Sequence, residues 1–309
     1  MSLPPIERPA VAVTCVADVR AALSESPVWD AEGNRLLWVD IPGRRLSSMS
    51  FTDGEIRHWD LPQVVGSMAL CSDGGMVLAL ADGVYGFDPT NGACTLICAP
   101  EPDCPTNRLN DGKAGPDGAF WVGSMDDRPV KEPVGALYRI APDGTATRMV
   151  EGVKVSNGLA WSADARTLYH SDSRGPWIDR WDFHPTTGAI SNRRRIVTLT
   201  ESDGRPDGGA TDIEGGYWSC GISAGCLNRF APDGRLLARY DLPIPAPTMC
   251  AFGGADMRTL FITSARQGLL AEALAAAPQS GSIFAMRADV AGVPVHRLAW
   301  RGGTKRGMA

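Results

Sequence analysis

One phrase recurs along the chain: a polar residue, a few small or apolar residues, an acidic turn, then an aromatic or apolar run. It reads ESPVWDAEGNRLLWVD from Glu25, NDGKAGPDGAFWVGS from Asn110, NGLAWSADARTLYHSD from Asn157 and DGGATDIEGGYWSCG from Asp207, with fainter copies from Gly66 and Met249. The turn acids Glu32, Asp73, Asp117, Asp164, Glu214 and Asp256 recur every roughly 40–50 residues, the length of one four-stranded propeller blade. Each unit runs on to a second turn, as in GVYGFDPTNG (83–92) and GALYRIAPDG (135–144), where Asn-Gly or Asp-Gly accepts the positive φ of a tight hairpin. A lone four-stranded sheet cannot bury both faces, whereas blades arranged in a ring cover one another. The repeat therefore predicts an all-β chain, a six-bladed β-propeller over residues 1–309. The strand-like AVAVTCVADV (10–19) is expected to complete the last blade and close the ring. An open sandwich suits the near-regular spacing less well.

Composition narrows the class of partner. Thirty-five acids against 30 Lys plus Arg leave a net charge of −5, with no concentrated basic face of the kind that neutralises nucleic-acid phosphates. No apolar run reaches the ~18–20 residues that cross a bilayer, and the start MSLPPIERPA lacks the basic-then-apolar plan of a secretion signal. A soluble cytoplasmic protein with neither nucleic-acid nor membrane partners is expected. The eight cysteines form no C-x-x-C pair, and only four histidines exist, far apart in sequence. Cys94, Cys98 and Cys104 read as free thiols in a proline-rich loop rather than as a zinc site.

The innermost strands of a propeller line its channel, so equivalent positions in successive blades form a ring. Seven residues before each turn acid stand Glu25, Gly66, Asn110, Asn157, Asp207 and Met249. Four of the six are oxygen donors, although strand interiors have no packing need for them. Taken singly, Asn110-Asp111-Gly112, Asn157-Gly158 and Asp207-Gly208 fit turns; their shared register favours convergence on one point. Carboxylates and amides without thiolate or imidazole make a hard site suited to Ca²⁺, Mg²⁺ or Mn²⁺ and less to Zn²⁺.

The phrases SESPVWD (24–30), NRLNDGK (107–113), SNGLAWS (156–162), RPDGGATDIEG (205–215), CAFGG (250–254) and TSARQGL (263–269) resemble the SMP-30/gluconolactonase family, in order and over nearly the whole chain. That resemblance implies a six-bladed propeller holding one divalent cation, with Ca²⁺ foremost and Zn²⁺, Mn²⁺, Mg²⁺ or Fe²⁺ as alternatives. It implies Glu25, Asn157 and Asp207 as metal ligands, Arg108 and Asn110 as substrate-binding residues, and Asp207 as general base. The implied activity is hydrolysis of a small-molecule sugar lactone to its acid, a carboxylic-ester hydrolase reaction. Where many members carry a sugar-contacting glutamate after Ser124-Met125, this chain reads Asp126-Asp127-Arg128, and Asp127 is taken as the substrate-binding acid. Gln267 stands where Asp is common, and Ser24 where Gly is common. The rival readings are a non-catalytic calcium-binding propeller and an esterase acting on a non-sugar ester.

Other features have plainer expectations. Trp29, Trp38, Trp121, Trp161 and Trp218 are assigned to packing between blades, and Arg193-Arg194-Arg195 to a solvated loop. His170 is expected to be a satisfied, semi-buried histidine. Gly268–Ala277 is the best short helix, and the polar stretch Met125–Gly135 a loop between strands that a lid could use.

Overall fold

The computed structural model describes residues 7–300; residues 1–6 and 301–309, at the ends of the expected span, lie outside them. Six four-stranded antiparallel sheets follow one another along the chain. Their innermost strands are Ser24–Asp30, Val65–Leu70, Asn107–Ala114, Ser156–Trp161, Pro206–Thr211 and Pro247–Gly253, which begin blades 1 to 6. Each lies against the innermost strand of the next blade, and Pro247–Gly253 lies against Ser24–Asp30, so the ring is closed.

Closure is completed by the chain's own beginning. Val13–Ala17 pairs antiparallel with Ile283–Arg287 as the outermost strand of blade 6, with Thr14 opposite Ala285 and Cys15 opposite Phe284. This leaves no unpaired edge on Ile283–Arg287 and covers the blade's outer core with Val11, Val13 and Cys15.

The tryptophans pack between blades, as the repeat implies. Trp29 stacks on Phe261 of blade 6 with centroids 5.6 Å apart, Trp121 meets Trp161 of blade 4 edge-on at 6.0 Å, and Trp218 meets Phe252 of blade 6 at 5.7 Å. Because these rings sit at related repeat positions, each apolar sheet face is filled by the next blade rather than by solvent.

Four local expectations need correction. Arg193–Arg195 is not a loop: it lies in the edge strand Ile190–Thr198, where Arg193 and Arg195 both donate to the buried Asp179 at 2.6 Å and lie over the Trp177 ring. Alternation along the strand places both on one face, which a composition reading of a basic run does not reveal. Cys94 and Cys98 belong to the outer strand Ala93–Cys98, and only Cys104 lies in the connection that follows. The helix spans Ala271–Ala276, shorter than its alanine-rich sequence suggests, because it buries no residue and isolated short helices gain little without packing. His170 is fully buried in the strand Thr167–Asp172. Its Nε2 meets Ser156 Oγ at 2.8 Å, Nδ1 has no partner, and burial pushes its pKa down to about 3.

The closing strand generates a direct expectation. Deleting the chain through Asp18 exposes the edge of Ile283–Arg287 and removes several part-buried apolar side chains, each contributing at most ~1.5–3 kcal/mol. We expect a loss on the order of 5 kcal/mol, read as a lower midpoint in chemical denaturation together with aggregation on size-exclusion chromatography; an unchanged midpoint would refute the closure's energetic role.

Candidate functional site

Each innermost strand breaks register with its neighbour at the same level. The ladder skips between Glu25 and Val28, Val65 and Ser67, Leu109 and Gly112, Asn157 and Ala160, Pro206 and Gly209, and Pro247 and Cys250. A bulge adds residues on one strand, disturbs the strict in–out alternation and re-aims side chains. Here it lets polar groups at two successive positions approach the axis. Counting back from the turn acids thus locates the ring to within one position: Glu25 and Asn157 are the last paired residues before their bulges, whereas Asn110 and Asp207 are unpaired within theirs. Asn110-Asp111-Gly112, Asn157-Gly158 and Asp207-Gly208 are bulged strand segments, not turns.

Glycine serves this geometry at two places. Gly158 adopts φ +66° inside the bulge, and a Cβ there would also meet Tyr217 Oη at 2.4 Å. Gly66, the ring position in blade 2, lies so near the Leu109 and Asn110 carbonyl oxygens that a Cβ would stand 2.7 Å from them. Glycine at this position therefore allows the innermost strands of blades 2 and 3 to approach closely.

Hydrogen bonds tie the ring from blade to blade. Met68 N donates to Ser26 Oγ, Ser67 Oγ to the Asn110 carbonyl, Asn110 Nδ2 to the Ser156 carbonyl and Thr248 Oγ1 to the Ser24 carbonyl, at 2.6–3.0 Å. Asn157 Nδ2 donates to Asp207 Oδ1 at 2.5 Å and to Ser173 Oγ at 2.9 Å. With both amide hydrogens engaged, Asn157 Oδ1 is left as an acceptor.

Glu25 and Asp207 are 8% and 6% exposed. Glu25 Oε2 accepts from Ser26 N at 2.8 Å. Burial, then the charges of Asp207 and Asp111, holds the Glu25 carboxyl well above its ordinary range. Burial also pushes Asp207 up to about 8, with Arg205 pulling the other way and Asp111 adding to the rise. Two buried carboxylates whose pKa values are raised by burial and by neighbouring negative charge, beside an amide oxygen, make a donor set suited to a cation. The residues fit a hard divalent ion. Among the described residues no three His, Cys, Asp or Glu side chains cluster as a metal-holding group, so an amide oxygen would have to complete such a set.

Arg108 stands above this set, largely buried. Its Nη1 donates to Asn110 Oδ1 at 2.8 Å and to the Leu109 carbonyl at 2.9 Å, and Nε donates to Asp127 Oδ1 at 3.1 Å. Asp127 itself is 57% exposed. Its neighbour Asp126 is turned away from this group, held by Arg128 and the backbone N of Glu132. At the opposite end, Val293–His296 cross the channel and leave a cavity of about 30 Å³ beside Lys113, Trp161, Thr211 and Phe252. That space is of the order of a water's volume and far below a sugar's.

Three groups at this level escape a reading by sequence. Asp111 is concealed by the Asn-Asp-Gly turn pattern, Lys113 crosses to the Gly209 carbonyl of blade 5 at 2.9 Å, and Ser173 follows the second strand of blade 4. Only for Asp111 was a signal present, as the neighbour of a ring position.

Residues 23–266 match the profile described as SMP-30/Gluconolactonase/LRE-like region. A regucalcin of Gallus gallus is 34% identical over 295 residues, covering 94% of this chain and 99% of its own. A 6-deoxy-6-sulfogluconolactonase of Pseudomonas putida is 37% identical over 279 residues, covering 90% and 95%. Among solved structures, a calcium-binding regucalcin of Agrobacterium tumefaciens has a TM-score of 0.88 at 28% identity, covering 97% of this chain and all of that one. With the propeller, the ring and these matches in hand, the chain belongs to the SMP-30/gluconolactonase/LRE-like family.

Proposed function

We propose that this chain is a carboxylic-ester hydrolase that opens a sugar lactone to its acid, with one divalent cation, Ca²⁺ foremost, held by Glu25, Asn157 and Asp207. The supporting observation is that buried Glu25, Asn157 and Asp207 come from three blades into hydrogen-bonding or electrostatic reach of one another, with the bonded Arg108–Asn110 pair beside them. The name of the Pseudomonas putida relative, a lactonase acting on a sugar derivative, points the same way.

When bound, the cation supplies Lewis-acid polarisation of the ester carbonyl and acidifies water. The chain's own residues do the rest. Asn157 fixes Asp207 through the 2.5 Å hydrogen bond to Oδ1, leaving Oδ2 as the oxygen that takes a proton from the attacking water. General-base catalysis by a carboxylate held in this way contributes about 10²–10⁴-fold. Arg108 offers its guanidinium to ring hydroxyls or to the product carboxylate, while Asn110 orients it. Asp127, exposed and already bonded to Arg108, faces the substrate's outer hydroxyls. A purely structural ion would require neither Arg108 nor Asn110 beside it.

Two outcomes test this. Asp207→Asn, confirmed as folded by circular dichroism, is expected to lower kcat on sugar lactones by at least about 10²-fold, and wild-type protein treated with EDTA is expected to lose turnover until the metal returns. Full activity in the variant would dismiss the base assignment. Protons compete with the cation for carboxylates whose pKa is raised, so calcium affinity should climb with pH through the region of pH 8 and flatten above it. The climb should approach about tenfold per unit for each proton displaced, read by calorimetric titration at several pH values. An affinity flat from pH 6 to 9 contradicts the assignment.

A further inference from the structure

We propose that Asp111 belongs to the surroundings of the cation site rather than to its direct ligands: a third carboxylate that sets the site's charge, with one oxygen kept free for the ion's hydration water. This rests on the metal reading above and extends its set of residues.

Asp111 lies in the bulge of Asn107–Ala114, next to Asn110, and is 4% exposed. Its Oδ2 accepts from Leu159 N at 3.0 Å, inside the blade 4 bulge that carries Asn157. Its Oδ1 is buried and accepts no hydrogen bond, although the backbone N–H groups of Gly112 and Gly158 lie near the carboxylate and favour its charged form. Both Glu25 and Asp207 feel its charge. Holding the Leu159 N–H requires only one acceptor oxygen, which an asparagine supplies with a smaller desolvation cost. A carboxylate with an unmatched buried oxygen is tolerated where something in the loaded protein meets it.

The charges at this level point to what that is. Lys113 is the cation whose field acts most on Asp111, yet its Nζ donates to the Gly209 carbonyl at 2.9 Å rather than to Oδ1. Arg108 is engaged by Asp127, and Arg205, the cation that acts on Asp207, is engaged by Glu201, each at 3.1 Å. When ionised, the carboxylates of Glu25, Asp111 and Asp207 against the Lys113 ammonium leave two negative charges, which one divalent cation balances. Without Asp111 the same ion would be in excess by one charge, in a medium where unbalanced charge is costly.

The test is calorimetric titration with Ca²⁺, and separately Mn²⁺, of the wild-type chain, Asp111→Asn and Lys113→Met, alongside thermal melts with and without ion. Asp111→Asn keeps an acceptor for Leu159 N but not the charge. Its Kd should rise by about tenfold or more, the range seen when groups just outside a metal's direct ligands are changed. Its ion-induced rise in Tm should shrink, while the metal-free variant melts at or above the wild type, because a buried unmatched charge has been removed. A residue with a purely structural role would instead lower the metal-free Tm and leave Kd alone; that result, or a Kd within twofold of wild type, overturns the proposal. Lys113→Met should move affinity the opposite way, so the sign remains readable if Asp111→Asn does not fold; unchanged or weaker binding in that variant counts against the proposal. Wild-type protein that binds neither ion fails the metal reading itself, an outcome distinct from wild-type binding that Asp111→Asn leaves unaltered.

Discussion

A β-strand sends successive side chains to opposite faces, so an unbroken innermost strand would give the axis every second residue and no more. In this propeller all six innermost strands break their ladders at one level, and the groups that carry chemistry sit on those breaks. The bulge of blade 3 presents Asn110 and Asp111 together, and that of blade 5 presents Asp207. Asn157 immediately precedes the blade 4 bulge, and Gly158, with positive φ, allows the chain to turn there. Were the ladders continuous, these residues would be divided between the channel and the apolar blade interfaces.

The same level concentrates negative charge away from water. Glu25, Asp111 and Asp207 are buried, and in the metal-free chain each of their carboxyls is shifted toward its protonated form by burial. The fold bears this cost because the ring is closed twice over, by Val13–Ala17 in blade 6 and by hydrogen bonds between innermost strands. A site that lowers the stability of the empty fold gains affinity for whatever neutralises it.

The repeat was legible because blade geometry imposes it. Each unit must supply an inward strand, a tight turn and a ring for the neighbouring blade, which is why Trp29, Trp121, Trp161 and Trp218 recur at related positions. The ring of Glu25, Asn110, Asn157 and Asp207 was legible for the same reason, though only to within one residue, because the bulges shift the pairing and nothing in local composition marks their register. Asp111 was masked by a pattern that usually means a turn. Arg193 and Arg195 are exposed, as a run of like charges suggests, but that run carries no sign of the strand they lie in or of the buried Asp179 beneath them. His170 read as satisfied because sequence cannot show that one ring nitrogen faces a wall without an acceptor.

The sequence by itself determined the architecture, the number of blades, the strand that closes the ring and the strand positions that carry oxygen-bearing side chains near the axis. These follow from spacing and residue type, which are properties of the chain taken one segment at a time. Tertiary structure alone decided which oxygens meet and which carboxylate oxygen is buried without a hydrogen bond. Those depend on side chains from blades about 50 to 180 residues apart being brought within hydrogen-bonding or electrostatic reach, and no local pattern encodes the distance between them.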